Sequence, residues 1–239
     1  MPCDMETPFD RIGFDLISFD LDGTLVDTAA EIAEAANRAL ESHRIERRPV
    51  AEITLLIGAG TRELMLRLLA SCCADNPGLA QRVSPEAVLE SLDAHYAATS
   101  GSVARPYPGC FETLAALRAR GLRLACVTNK ELRHTDRVLK ATGLDTAFDL
   151  VIGGDSLAEK KPHPSVLRHV AARLGASLAR TAHVGDSSTD IQAARNAGVH
   201  AWAVPYGYNA GVPIVQAQPD RLFQTLCEVA AHVLEGRAA

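Results

Sequence analysis

Apolar residues recur along this chain in two rhythms. Short runs bounded by turn residues appear as FDLISF (14–19), LRLACVT (122–128), DLVIGG (149–154), TAHVG (181–185) and AWAV (201–204). Runs this short and this continuously apolar are the pattern of strands buried on both faces of a parallel sheet. Between them lie amphipathic stretches that stop at glycine: FETLAALRARG at Gly121, ELRHTDRVLKATG at Gly143, PSVLRHVAARLG at Gly175 and TDIQAARNAG at Gly198. Glycine ends a helix well because it accepts the left-handed conformation just past the last turn. The alternation predicts an α/β fold, a Rossmann-like parallel sheet with helices on both faces.

One region breaks the rhythm. From Thr28 to Val103 the pattern is helical and contains no convincing strand. TAAEIAEAANRALESH opens with a capping box of Thr28 and Glu31. TRELMLRLLASCC comes after a GAG loop, and SPEAVLESLDAHYAAT starts with Ser84 as cap and Pro85 at the first helical position. The rigid stretch ARPYPG (104–109) leads back to the alternating pattern. The expected organisation is a core of residues 1–27 and 104–239 with a helical insertion, 28–103, and hinges near Leu25–Asp27 and Val103–Gly109.

Composition narrows the classes of function. The 239 residues are 47% hydrophobic and 22% charged, an ordinary globular mix with enough chain for a sizeable core. A net charge of −5 argues against a nucleic-acid partner and against an anionic membrane surface. The first residues lack an apolar signal core, and no run approaches a membrane span, so a cytoplasmic location is expected. The six cysteines are scattered without a CxxC pair, which reads as small buried hydrophobes rather than a zinc site or disulfide scaffold.

The candidate chemistry lies where the strands end. In open parallel sheets, ligands bind outside the carboxyl ends of the strands. The first run leads into Asp20, Asp22, Gly23 and Thr24, and the second ends in Thr128 and Asn129. Lys160 and Lys161 come after the third, and Gly185, Asp186, Ser187 and Asp190 after the fourth. Acids, a lysine and hydroxyls on one edge make a site for a divalent cation and a phosphoryl group. Phosphate-monoester hydrolysis is among the slowest uncatalysed reactions, and an anionic nucleophile must approach a dianion. Mg²⁺ held by oxygen ligands and an ammonium group would cancel that repulsion.

Within this set, Asp20 is the expected nucleophile. Asp22, two residues on and facing the same way, would protonate the leaving oxygen and later activate water. Gly23 and Thr24 would turn the chain around the phosphate. Backbone N–H groups near Gly23 and Asn129, with the Thr128 hydroxyl, would hold its oxygens. Asp186 would meet the metal, with Asp190 and Ser187 orienting it from behind. Of two adjacent lysines in an extended segment, one points inward. His163 and His183 are read as satisfying local hydrogen bonds.

DLDGT, VTNK, KKPHP and VGDSSTD together resemble the four motifs of the haloacid dehalogenase superfamily. The resemblance covers nearly the whole chain and makes the insertion a helical cap. It implies Mg²⁺ dependence, an aspartyl-phosphate intermediate on Asp20, and metal ligation by Asp20, the Asp22 carbonyl and Asp186. It also selects Lys161, which directly precedes the proline, as the catalytic lysine, and reads Lys160 as outward. Asp22 favours a phosphatase over a dehalogenase, since halide needs no proton. The stretch 28–103 contains no lysine, so imine-forming phosphonate cleavage is excluded.

LIGAGTRELMLRLL, VIGGDSLAEKKPHP and PYGYNAG further resemble the bacterial phosphatases of 2-phosphoglycolate. On that resemblance the helix opening at Thr61, with Arg62, would receive the carboxylate of a small acid. Phosphosugar phosphatases, including one for N-acetylmuramate 6-phosphate, and a glucose-phosphate mutase share the motifs. A receiver-type phosphoryl sensor also collects acids and a lysine at strand ends, but Asp22, the insertion and the late GDSSTD oppose it. The expected partner is a small phosphorylated metabolite, and the expected state a monomer or weak homodimer.

Overall fold

The computed structural model of the chain describes residues 13–235. Strand β1 (Leu16–Phe19) is followed by the two-residue β2 (Val26–Asp27). Four helices come next: α1 (Ala29–Ser42), α2 (Val50–Thr54), α3 (Thr61–Asp75) and α4 (Pro85–Thr99). After β3 (Arg105–Pro106), helices and strands alternate: α5 (Cys110–Ala119), β4 (Arg123–Val127), α6 (Leu132–Thr142), β5 (Leu150–Ile152), α7 (Pro164–Arg173), β6 (Thr181–Gly185), α8 (Ser188–Ala197) and β7 (His200–Ala203). The edge strand β8 (Arg221–Leu222) and the helix α9 (Leu226–Glu235) close the described chain. None of its helices is long and apolar enough to cross a membrane.

Six strands form one parallel sheet in the order β5-β4-β1-β6-β7-β8. In chain order this is the doubly wound arrangement, with the order reversing between β1 and β6. The crevice of such a sheet therefore opens at the carboxyl ends of β1 and β6.

Alternation along the strands sorts side chains between two layers. Ile17, Phe19, Leu124 and Cys126 join Trp202 and the apolar faces of α5 and α9. Leu16, Ala125 and Val127 point the other way, onto α7 and α8. Full burial of a side chain such as Phe19 contributes roughly 1.5–3 kcal/mol. Helices α1 to α4 enclose a separate cluster that includes Ile32, Leu40, Leu68, Leu92 and Tyr96. The two chain crossings between these helices and the sheet layers pair as a small antiparallel ribbon, Val26 opposite Pro106 and Asp27 opposite Arg105.

Helix starts obey local chemistry where no better partner competes. Ser84 accepts the Ala87 N–H with Pro85 in the first turn of α4, as expected. The capping box expected at Thr28 and Glu31 does not form. The Thr28 hydroxyl donates to Asp22 Oδ1 (2.6 Å), and the Glu31 carboxylate accepts the Gly101 N–H (2.9 Å). The start of α1 is instead capped from 180 residues away. The Tyr208 hydroxyl accepts the N–H of Thr28 (3.0 Å) and of Ala29 (3.1 Å), and donates to Asp27. Cys72, Cys110 and Cys126 are buried and free, Cys73 is half-buried, and Cys227 is exposed, against expectation. Cys3 lies outside the described residues.

Candidate active site

β1 delivers Asp20 to the sheet edge while its own N–H still pairs with Val184 (2.9 Å). The chain then folds back tightly. The Gly23 N–H donates to Val26 (2.9 Å), and the N–H groups of Leu25 and Val26 donate to Leu21 (3.0 Å each). Gly23 has φ +84°, and a Cβ there would collide with the Asp186 carboxylate. A glycine is required on both counts. Gly23 and Thr24, expected to turn the chain around the phosphate, make their hydrogen bonds elsewhere. The Gly23 N–H is spent within the turn, and the buried Thr24 hydroxyl donates to Asp186 Oδ1 (2.9 Å). Both residues build the seat of Asp186. The other Asp186 oxygen accepts the Tyr208 N–H, and the Tyr206 hydroxyl donates to the Thr24 carbonyl (2.9 Å).

Behind Asp20 lies a buried charge cluster. Lys161 Nζ donates to Asp190 Oδ1 (2.7 Å) and stands 2.9 Å from Asp20 Oδ1. The second approach is an ion pair outside hydrogen-bond geometry, so that buried oxygen receives no hydrogen bond. Asp190 Oδ2 accepts the N–H (3.1 Å) and hydroxyl (2.6 Å) of Ser187, closing a capping box at the start of α8. His183 Nε2 lies 3.3 Å from Asp190 Oδ1, and its Nδ1 lies 2.9 Å from the Ser18 hydroxyl. His163 caps α7 locally as expected, whereas His183 joins the site's inner layer.

Burial sets the protonation tendencies, and neighbours redirect them. Burial, with Asp190 and Asp22 added, outweighs Lys161 and pushes the Asp20 carboxyl up to about 7. Burial and the charges of Asp190 and Asp20 push Asp186 well above the usual range. Burial works against charge on Asp190 too, but Lys161 and His183 overcome it and hold that carboxyl far below its usual value. For Lys161, burial is outweighed by Asp190 and Asp20, which keep the ammonium protonated.

Asp20 and Asp190 thus share one ammonium while Asp186 adds a third carboxylate to the group, leaving surplus negative charge. Oxygens of Asp20, Asp186 and Asp190 all lie within 4.8 Å of one another. An all-oxygen donor set with an unbonded Asp20 oxygen fits a hard divalent cation.

The front of the site is a narrow cavity under α1 and α3. Asp20, Asp22, Thr128, Asn129 and Lys130 line one side of it, and Ile32, Ile57, Gly58, Gly60, Thr61 and Leu64 the other. Thr128 and Asn129 do not cap a helix, since Glu131 holds that position in α6. The Asn129 amide instead donates to the carbonyls of Lys161 (2.9 Å) and Gly58 (3.1 Å), tying the two sides together.

One of the two flanking cations departs from expectation. Lys160 is exposed, yet its ammonium crosses to the Ala59 carbonyl (2.7 Å). Arg62 is exposed and lies outside the cavity, in a neighbouring cleft with Asp93 and Arg133. One position along a helix rotates a side chain well away, so it is Leu64, three after Thr61, that shares the Thr61 face. The Thr61 hydroxyl donates to both oxygens of Glu131 (2.7 and 2.8 Å).

Sequence reasoning missed four contributors. Lys130, within the VTNK motif, is 2% exposed and donates to Asp22 Oδ1 (2.6 Å). Glu131 engages the start of α3, and Tyr206 and Tyr208 support Asp186 from the PYGYNAG stretch. Their signal is present as motif letters after strand ends, but their contacts span 22 to 182 positions.

Known proteins share this architecture. Residues 14–198 match a family model described as haloacid dehalogenase-like hydrolase. A phosphoglycolate phosphatase of Haemophilus influenzae is 36% identical over 216 residues, 90% of this chain and 96% of that protein. Another, of Nitrosospira multiformis, is 41% identical over 214 residues, 89% of this chain and 92% of that protein. The crystal structure of a predicted phosphoglycolate phosphatase from Haemophilus somnus 129pt superposes with a TM-score of 0.86 at 34% identity, covering 91% of this chain and 97% of that one. Matched over most of its length by both model and relatives, the chain belongs to the haloacid dehalogenase-like hydrolases.

Proposed function

We propose that the protein is a Mg²⁺-dependent phosphomonoesterase that hydrolyses 2-phosphoglycolate to glycolate and phosphate. Residues 28–103 serve as a cap on a core of 1–27 and 104–239, with the β2–β3 ribbon as the joint. The observation that carries the reading is that Asp20 and Asp22 open on one narrow cavity while Lys161 and Asp186 stand behind Asp20. The named activity of the relatives, and the lack of room beneath Ile32, Ile57 and Leu64, favour a small ester over a phosphosugar.

Asp20 attacks phosphorus through a carboxylate oxygen as the bond to the glycolate oxygen breaks. Asp22 gives its proton to that leaving oxygen. Asp22 then takes a proton from water as the water attacks the phosphorus of the aspartyl phosphate, which releases phosphate and restores Asp20. Asp20, the Asp22 carbonyl and Asp186 would hold Mg²⁺, which when bound would supply the positive charge that lets carboxylate and phosphoryl group meet. Lys161 neutralises Asp20, and Asp190 with Ser187 fixes Lys161 in place. The Thr128 hydroxyl and the backbone N–H of Asn129 steady the phosphoryl oxygens. Ile32, Ile57 and Leu64 keep bulk water from the leaving group.

The test is phosphate release from 2-phosphoglycolate with Mg²⁺ present. Turnover should stop with EDTA and in Asp20→Asn, and near-normal turnover in that variant would sink the mechanism.

A further inference from the structure

Lys130 is a second buried lysine, lining the cavity beside Asp22 while Lys161 stands behind Asp20, and no catalytic step requires it. Its position is a consequence of the fold. β4 ends at Val127, and the next four residues turn across the mouth of the sheet before α6 begins. Gly154 allows that turn to sit close, because a Cβ there would overlap the Asn129 carbonyl, and its N–H donates to the Lys130 carbonyl (2.7 Å). The side chain then reaches inward, with Nζ on Asp22 Oδ1 and 5.4 Å from the centre of the Tyr96 ring. Tyr96 belongs to α4, so the helical segment itself completes the enclosure of this ammonium. A cation over an aromatic face is attracted by the ring quadrupole, more so when desolvated.

An ammonium has three N–H donors, and Asp22 takes one. Among the residues lining the cavity, Lys130 is the one cation. At the alternative anion site, the start of α3, the Thr61 hydroxyl is held by the Glu131 carboxylate and Arg62 lies outside, so no side-chain cation there faces the cavity. In a phosphate ester of a 2-hydroxy acid, the carboxylate carbon is two bonds from the ester oxygen. A group one hydrogen bond beyond the acid that faces that oxygen is therefore within reach of the carboxylate.

We infer that Lys130 is the specificity-determining cation of the site, binding the carboxylate of a small phospho-acid with the donors Asp22 leaves free. The inference rests on the proposed 2-phosphoglycolate phosphatase activity and names the residue that selects for it. A neutral ester of similar size would find the same nucleophile and acid but no partner for Lys130. An acidic leaving group would give the buried ammonium a further carboxylate partner.

The experiment compares kcat/KM for 2-phosphoglycolate and for ethyl phosphate, in which a methyl group replaces the CH₂-borne carboxylate arm. A wild type that prefers neither ester overturns the substrate reading, and this is seen before any variant is made. If the wild type prefers 2-phosphoglycolate, Lys130→Met tests the inference alone. A lost charge-assisted contact predicts that the ratio of the two kcat/KM values falls roughly 10- to 100-fold. Lys130→Gln, which keeps a donor for Asp22 without the charge, should lower the ratio likewise and serves if the Met variant does not fold. Equal slowing of both esters, with the ratio unchanged, overturns the inference and leaves Lys130 as a support for Asp22 only.

Discussion

Tyr208→Phe removes one oxygen atom and tests how the first helix is joined to the site. The ring stays, so no cavity forms. The Thr28 N–H, in a residue only 1% exposed, loses the acceptor it has at 3.0 Å. The Ala29 N–H is less affected, because Asp27 Oδ1 also accepts it at 3.2 Å. Asp27 is exposed, and water can replace the lost donor there. The cost is therefore close to that of one orphaned buried donor at a helix start, about 1–2 kcal/mol. For a chain of this size that lowers Tm by roughly 2–8 °C. Thermal and urea unfolding followed by circular dichroism, wild type against variant, measures it. A shift below about 1 °C would refute the reasoning, since it would mean that the Thr28 N–H finds another acceptor at no cost.

Other substitutions probe the charge cluster. Gly23→Ala should abolish turnover and destabilise the fold, because the added Cβ meets the Asp186 carboxylate at a positive φ; an assay showing normal activity and Tm would contradict this. Asp190→Asn leaves Lys161 without its principal partner in a buried place, and should cost about 3–5 kcal/mol in urea unfolding along with most activity. The metal-free protein should lose stability as pH rises. The folded Asp20 carboxyl stands at about 7 against 3.8 for the ordinary group, so the folded state binds more protons across that window. The stabilisation is complete below the lower value and gone above the upper one, and Asp186 acts in the same direction. Mg²⁺ should relieve the loss, so its effect on Tm should be larger at about pH 8 than at about pH 5.5, and an equal effect at both would contradict the assignment.

Much of this arrangement is legible in the sequence because it is written in strand ends. The runs ending at Phe19, Val127, Ile152 and Gly185 are continuous and apolar, and the residues just past each run must reach one sheet edge. Strand order along the chain is thus enough to bring Asp20, Asp22, Asp186 and Lys161 together. The rest depends on contacts with no local signature. β2 and β3 have two residues each, too few for any periodicity to show. Nothing local marks Lys130 as buried, and its enclosure draws on Asp22 and on Tyr96 from another helix. The capping box at Thr28 has the right letters, yet Asp22 and Tyr208 offer its groups better partners. Arg62 is next to Thr61 in the chain, and helical rotation carries it outside.

The central claim is that Asp20 becomes phosphorylated during turnover. Rapid acid quench with 2-phosphoglycolate and Mg²⁺, then mass spectrometry of the peptide containing Asp20, tests it directly. Asp22→Asn, which slows the attack of water, should accumulate one hydroxylamine-labile phosphoryl group on that peptide. Asp20→Asn should show none. Turnover by the wild type with no phosphoryl group ever found on Asp20, in either the wild type or the Asp22 variant, would contradict the account.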